Sequence, residues 1–165
     1  YSKKAQPQRQ NNQNSNQIYL KYADDLAQLL DKHVLTEDIH VYMGSDYIEP
    51  LNTLKLKDGT SILDVIENPS KFKDRSKEID ALLNGFVVNQ ERFMSTSLVE
   101  ENHSHRFAKV NYDFTLKAGS NALFRNIYTN VNNHEIEMIV QKDSKIIFKG
   151  IDWDTGKIIA DVVTN

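Results

Sequence analysis

The sequence contains no cysteine. That excludes disulfides, thiolate metal sites and cysteine nucleophiles, and it leaves the compartment open, since secreted bacterial proteins often lack cysteine as well. Nor is there a large charge of either sign. Twenty Lys and Arg against 23 Asp and Glu leave a net charge of −3, without the basic footprint of a nucleic-acid binder. No apolar run approaches the roughly 20 residues that span a bilayer, and no basic amphipathic helix offers a membrane anchor. The expected partner is therefore a protein or a small molecule. Both the P-loop and the dinucleotide glycine fingerprint are missing. So are Gly-x-Ser-x-Gly and Ser-x-x-Lys, which leaves serine nucleophile chemistry unsupported. His103 and His105 have no third ligand at helical or hairpin spacing, so no metal site is expected. The chain opens at Tyr1 without a signal peptide pattern and reads as an excised piece.

What is present is an ordinary globular composition, 39% hydrophobic and 26% charged over 165 residues. A chain of this length forms one domain and buries about 70% of its extended-chain surface. Residues 1–16 are mostly Gln, Asn, Lys and Ser, too polar to offset the entropy of ordering, and read as a flexible lead-in. The domain is expected over 17–165. From Asn16, a plausible N-cap, Tyr19, Tyr22, Ala23, Leu26, Leu29 and Leu30 recur at helical spacing. That stripe predicts a core-facing helix ending near Lys32 or His33.

Ile39 to Met43 alternates as a strand, ended by Gly44. Ser61 to Glu67 and Arg75 to Leu83 suit short helices separated by Asn68-Pro69-Ser70. Beyond Gly85 the pattern is β: Phe86 to Val88, Arg92 to Leu98, Val110 to Leu116, Ala122 to Phe124, Glu135 to Val140, Lys145 to Phe148 and Lys157 to Val163. The stretch Val110 to Leu116 alternates most cleanly. Helices first and antiparallel strands later predict an α+β fold, two packed, mainly antiparallel sheets with N-terminal helices on one side. Trp153 before a turn reads as a packing anchor.

Two short motifs carry chemical interest. In Glu135-Ile136-Glu137 the carboxylates share one strand face while Ile136 and Met138 face the core. Two acids this close can divide labour between holding positive charge and accepting a proton, although an arbitrary Glu-x-Glu is more often a solvated strand face. In Ser95-Thr96-Ser97 the serines share a face and Thr96 takes the other, which places small hydroxyls beside the backbone with little bulk to exclude a ligand. The bland counterpart is a polar edge strand.

Taken in order, Val41-Tyr42-Met43-Gly44, a helical insert, Phe93-Met94-Ser95-Thr96-Ser97-Leu98 and Glu135-Ile136-Glu137 resemble the toxin-type mono-ADP-ribosyltransferases. That is the family from which clostridial and Bacillus binary toxins and related effectors are built. The resemblance runs from about Ile18 to Val163. It implies an enzyme that takes NAD as substrate, without a metal, and transfers ADP-ribose to a host protein side chain, arginine by virtue of Glu135. It also implies secretion or delivery into a host cell. By the same resemblance, Glu137 stabilises the oxocarbenium-like cation as nicotinamide leaves, and Ser95 orients Glu137. Glu135 serves the acceptor. Tyr42, position 43, Gly44, Phe93, Thr96 and Ser97 belong to the NAD site. The stretch Ile127 to His134, with Tyr128, Asn130 and Asn133, is the target-recognition turn.

Met43 departs from the pattern, which has arginine there, and a thioether cannot donate to a phosphate. Three explanations are open. Arg106 or Arg92 supplies the cation, the position was substituted to disarm a toxin, or the domain is a pseudoenzyme kept as an interaction module. NAD glycohydrolysis without a protein acceptor is a further alternative, needing Glu137 but not Glu135.

Overall fold

The computed structural model describes residues 6–46, 51–100, 108–128 and 134–164, with the backbone alone for 6–16, 126–128 and 134–135. It opens with α1 (Gln6–Asp31) and β1 (Ile39–Ser45), followed by two short helices, α2 (Ile62–Glu67) and α3 (Ser76–Leu83). Seven further strands follow: β2 (Val87–Gln90), β3 (Met94–Ser97), β4 (Val110–Leu116), β5 (Ala122–Tyr128), β6 (His134–Val140), β7 (Ser144–Ile151) and β8 (Ile158–Val163). Helices thus precede most of the β structure, as the patterning predicts, and the α+β class holds.

α1 differs from expectation at both levels. It begins at Gln6, well ahead of the N-cap expected at Asn16, so the polar lead-in is helical from Gln6 onward. Gln and Arg are good helix formers, and Pro7 falls in the first turn, where a missing N–H costs no hydrogen bond. The apolar stripe is not core along its length: Tyr19 is 71% and Tyr22 70% exposed, while Leu30 is fully buried. Among the described residues, the hydrogen bonds from the helix to the sheet fall in its last turns. Gln141 Nε2 donates to Ala27 O and Asp31 Oδ1, both at 2.9 Å, and Asn121 Nδ2 donates to Leu30 O at 3.1 Å.

The strands are hydrogen-bonded in the order β2-β7-β8-β4-β1-β3-β6-β5, antiparallel except for β4 beside β8. The single pair Tyr42–Ser97 joins a five-strand half, β2 to β1 in that order, to a three-strand half of β3, β6 and β5. The two expected sheets are thus linked into one ladder through this pair. β1 also runs through Gly44 to Ser45 rather than stopping at Gly44, because Gly44 and Ser45 pair with Asn111 and Val110 of β4.

The core lies mainly on one face of the five-strand half and extends to Met94, Ala122, Met138 and Val140 of the other three strands. Along β4, Val110, Tyr112, Phe114 and Leu116 are buried and Asn111, Asp113 and Thr115 are not, the period-two pattern of a strand with one face covered. α2 and α3 cover that face with Ile62, Val65, Ile79 and Leu83, all fully buried, each worth about 1.5–3 kcal/mol of apolar burial. α3 is also pinned to β7 by polar contacts. Asp80 accepts from Ile151 N and from Trp153 Nε1, both at 3.0 Å, so Trp153 is an anchor through its indole as well as its ring. Gly150 leaves room for this approach, since a Cβ there would lie 2.7 Å from Asp80 Oδ1 and push the carboxylate off its bonds.

Candidate active site

Strand pairing places five residues in one row across the sheet: Asp113 on β4, Tyr42 on β1, Ser97 on β3, Glu137 on β6 and Arg125 on β5. Directly paired residues point the same way, so this row shares a face, opposite the α2 and α3 side. Ser95 is two residues back along β3 and joins the same face. The hydroxyl strand and the acid strand are neighbours, and their side chains meet.

Glu137 is the centre of the arrangement. It is buried to 8% exposure on a strand otherwise flanked by apolar side chains, so its carboxylate needs partners. Ser95 Oγ donates to Oε1. Arg125 takes the other oxygen, with Nη2 at 2.9 Å and Nε at 3.1 Å from Oε2. Both carboxylate oxygens are thereby engaged, one by a neutral hydroxyl and one by a charged fork. Arg125 itself is 57% exposed along its side chain. The remaining hydroxyls of β3 hold the strand: Thr96 Oγ1 donates to Met138 O at 2.7 Å, and Ser97 Oγ donates to Val99 O at 2.9 Å.

Toward β1 the row continues to Tyr42. The Lys157 ammonium lies 5.4 Å from the Tyr42 ring centroid and pairs with Glu100. Burial pushes the Lys157 amine below its ordinary range, as desolvation of a cation does. Asn111, paired with Gly44 on the same face, keeps a buried Oδ1 without a hydrogen-bond partner. Met43 takes the other face of β1, pairs with the fully buried Tyr112 and packs against the core.

Of the residues singled out from the sequence, Ser95, Thr96, Ser97, Glu137, Tyr42 and Gly44 come together on adjacent strands, and Phe93, half-buried, leads into β3. Glu135 is two residues before Glu137 on β6, with its backbone opposite Ile127. Tyr128 closes β5 opposite His134, so the expected recognition turn begins and ends inside the hairpin strands. Arg106, Asn130 and Asn133, like His103 and His105, lie outside the described residues. Arg92 is exposed just ahead of β3. Among the described residues no group of three or more His, Cys, Asp or Glu could hold a metal. A cavity of about 280 Å³ near the end of β1, lined by Asp46, Leu63, Glu67 and Lys109, includes none of Ser95, Arg125 or Glu137.

Arg125 is the residue that sequence reasoning passes over. The strand is expected to stop at Phe124, whereas β5 continues to Tyr128. The signal that could reveal it is hairpin arithmetic: an arginine twelve residues before Glu137, across a connection whose register pairs Arg125 with Glu137.

The family model described as ADP-ribosyltransferase exoenzyme matches residues 3–163. Among solved structures, Plx2a, an ADP-ribosyltransferase toxin from Paenibacillus larvae, superposes with a TM-score of 0.58 at 21% identity, covering 87% of this chain and 70% of that one. The C3larvin toxin, an ADP-ribosyltransferase from the same organism, gives 0.54 at 18% identity, covering 88% and 70%. The C3 exoenzyme of Clostridium limosum gives 0.52 at 19% identity, covering 88% and 67%. No match is found among curated proteins. At these identities the superpositions speak for the fold, while the match over nearly the whole chain speaks for descent: this chain belongs to the ADP-ribosyltransferase exoenzyme family.

Proposed function

We propose that this protein transfers ADP-ribose from NAD to a side chain of a host protein, arginine being the acceptor, as a secreted or delivered toxin or effector. The observation that carries the reading is the Ser95–Glu137 hydrogen bond, a hydroxyl fixing a buried carboxylate on a face open to a ligand. A carboxylate held in this way suits a reaction in which positive charge develops. As the bond from nicotinamide to ribose lengthens, the sugar becomes oxocarbenium-like, and a fixed anion stabilises it without reorganising at that moment. The leaving nicotinamide takes the bonding electrons and departs neutral.

Glu137 in this scheme contacts the nicotinamide-ribose hydroxyl, and Ser95 fixes its orientation. Thr96 ties β3 to β6 through Met138 O, and Ser97 fixes the turn that follows β3 through Val99. Tyr42, Gly44 and Phe93 form the floor beside the row, and Lys157 offers a cation at its β1 end. Position 43, on the core side, has no part in phosphate binding, and Arg106 remains the candidate cation from the loop after Ser-Thr-Ser. Glu135 activates the acceptor, with Tyr128, Asn130 and Asn133 forming the surface that meets the target.

The test is nicotinamide release from NAD with and without agmatine as an arginine donor. Wild type releases nicotinamide, and agmatine accelerates release and takes up ADP-ribose. Glu137→Ala abolishes both reactions, whereas Glu135→Ala loses transfer to agmatine and keeps hydrolysis. Release that survives Glu137→Ala would remove the carboxylate from the mechanism, and full transfer by Glu135→Ala would remove the arginine assignment.

A further inference from the structure

Arg125 and Glu137 form a pair with unequal exposure. The carboxylate is buried and the guanidinium is mostly in solvent, yet Nη2 and Nε lie 2.9 and 3.1 Å from Oε2, Nε donating a hydrogen bond. Oε1 is already held by Ser95. A ligand group that needs Glu137 therefore meets a carboxylate whose two oxygens are already engaged, and it competes with Arg125 wherever it approaches Oε2. The pair is also electrostatically self-cancelling: a guanidinium in direct contact masks the negative charge from anything approaching over the same face. A cation forming beside Glu137 and the cation of Arg125 cannot both use that carboxylate to full effect.

The inference rests on the reading of NAD as substrate. We propose that Arg125 is a dinucleotide-binding residue whose guanidinium leaves Glu137 for the pyrophosphate when NAD binds, so that binding itself uncovers the carboxylate. Three observations support the transfer. The guanidinium side chain is 57% exposed and, among the described residues, meets one carboxylate oxygen, so it can turn to a ligand arriving from solvent. Its planar fork suits phosphate oxygens as well as a carboxylate. β1 and β3 bring no lysine or arginine to this face, their residues there being His40, Tyr42, Gly44, Ser95 and Ser97. Lys157 lies by Tyr42, two strands from Glu137, and is paired with Glu100. Among the described residues, a dianionic pyrophosphate lying along the row meets Arg125 as the cation paired with Glu137.

The experiment uses two fluorescent, unreactive probes, NADH and dihydronicotinamide riboside, which differ in the pyrophosphate and adenosine. Wild type, Arg125→Gln and Arg125→Lys are titrated with each. Arg125→Gln is expected to weaken NADH binding about tenfold or more, the scale of one charge-assisted phosphate contact. Binding of the riboside should stay within about threefold or tighten, because its competitor at Oε2 has gone. Arg125→Lys, which keeps the charge and loses the fork, should fall between. Unchanged NADH affinity in Arg125→Gln overturns the proposal. So does an equal loss for both probes, which would mean that Arg125 only steadies Glu137. Wild type that binds neither probe overturns the NAD reading itself, a failure visible before any variant is compared. Thermal melting guards against misfolding, and Ser95 keeps a partner on the Glu137 carboxylate in both variants.

Discussion

Ser95→Ala isolates the bond that defines the site. The change removes one hydroxyl from an exposed position on β3 and leaves Arg125 on Oε2, so Glu137 keeps a partner and is not stranded as a bare buried charge. A hydrogen bond to a charged group contributes about 1.5–3 kcal/mol. If that bond sets the carboxylate where the cation forms, its loss appears in the transition state and lowers kcat/KM for NAD by roughly 10- to 150-fold. The folded state should hardly register the change. An exposed side chain costs under about 1 kcal/mol, or about 2–4 °C in Tm for a chain of this size. Nicotinamide release at saturating and limiting NAD, alongside a thermal melt, separates the two effects, and Ser95→Thr should recover part of the rate by restoring a hydroxyl. A loss of less than about threefold, well short of one charged hydrogen bond, would refute the orienting role. A Tm fall of more than about 10 °C would show that Ser95 serves the fold instead.

Away from the site, Asp80→Ala strips the charged acceptor from the Ile151 and Trp153 N–H groups. A loss of about 2–4 kcal/mol is expected, visible as a Tm lower by roughly 4–15 °C. Trp153, the single tryptophan, reports the melt, and a shift below about 2 °C would show that the pin is idle. Asp58 is held down to a pKa of about 2 by hydrogen bonds from Thr60 and by Arg75. A carboxylate depressed in the folded state contributes stability above its unfolded pKa and loses it as the pH falls toward about 2. Asp58→Asn should therefore flatten the decline in Tm between about pH 5 and pH 2, modestly because Asp58 is exposed. An unchanged acid limb would show that solvent screens the pairing away.

How much of this is legible in the sequence depends on the range of the interactions. β4 announces itself through strict alternation from Val110 to Leu116, and α2 and α3 through turn residues on either side, because those signals are local. The hydroxyl and acid motifs are equally local, and each lies on a strand as its pattern predicts. Their meeting is not local. It depends on β3 pairing with β6 and on β1 standing between β4 and β3, connections that no window of the sequence contains. α1 shows the converse failure. Its stripe predicts burial, but the helix, tied to the sheet near Ala27 to Asp31, leaves Tyr19 and Tyr22 in solvent. Arg125 is invisible because a lone arginine at the end of an apolar run carries no pattern until the hairpin register pairs it with Glu137. Met43 reads as part of the nucleotide site by alignment with a motif, whereas strand parity turns it toward Tyr112 and the core.

The most direct test is a crystal structure of Glu137→Gln with NAD bound, the substitution slowing turnover while keeping the side-chain shape. The nicotinamide ribose should lie over the row from Tyr42 to position 137, with a ribose hydroxyl within hydrogen-bonding distance of the introduced amide and Ser95 still touching that amide. NAD found instead in the cavity beside Asp46 and Lys109, or on the α2 and α3 face, would contradict the account.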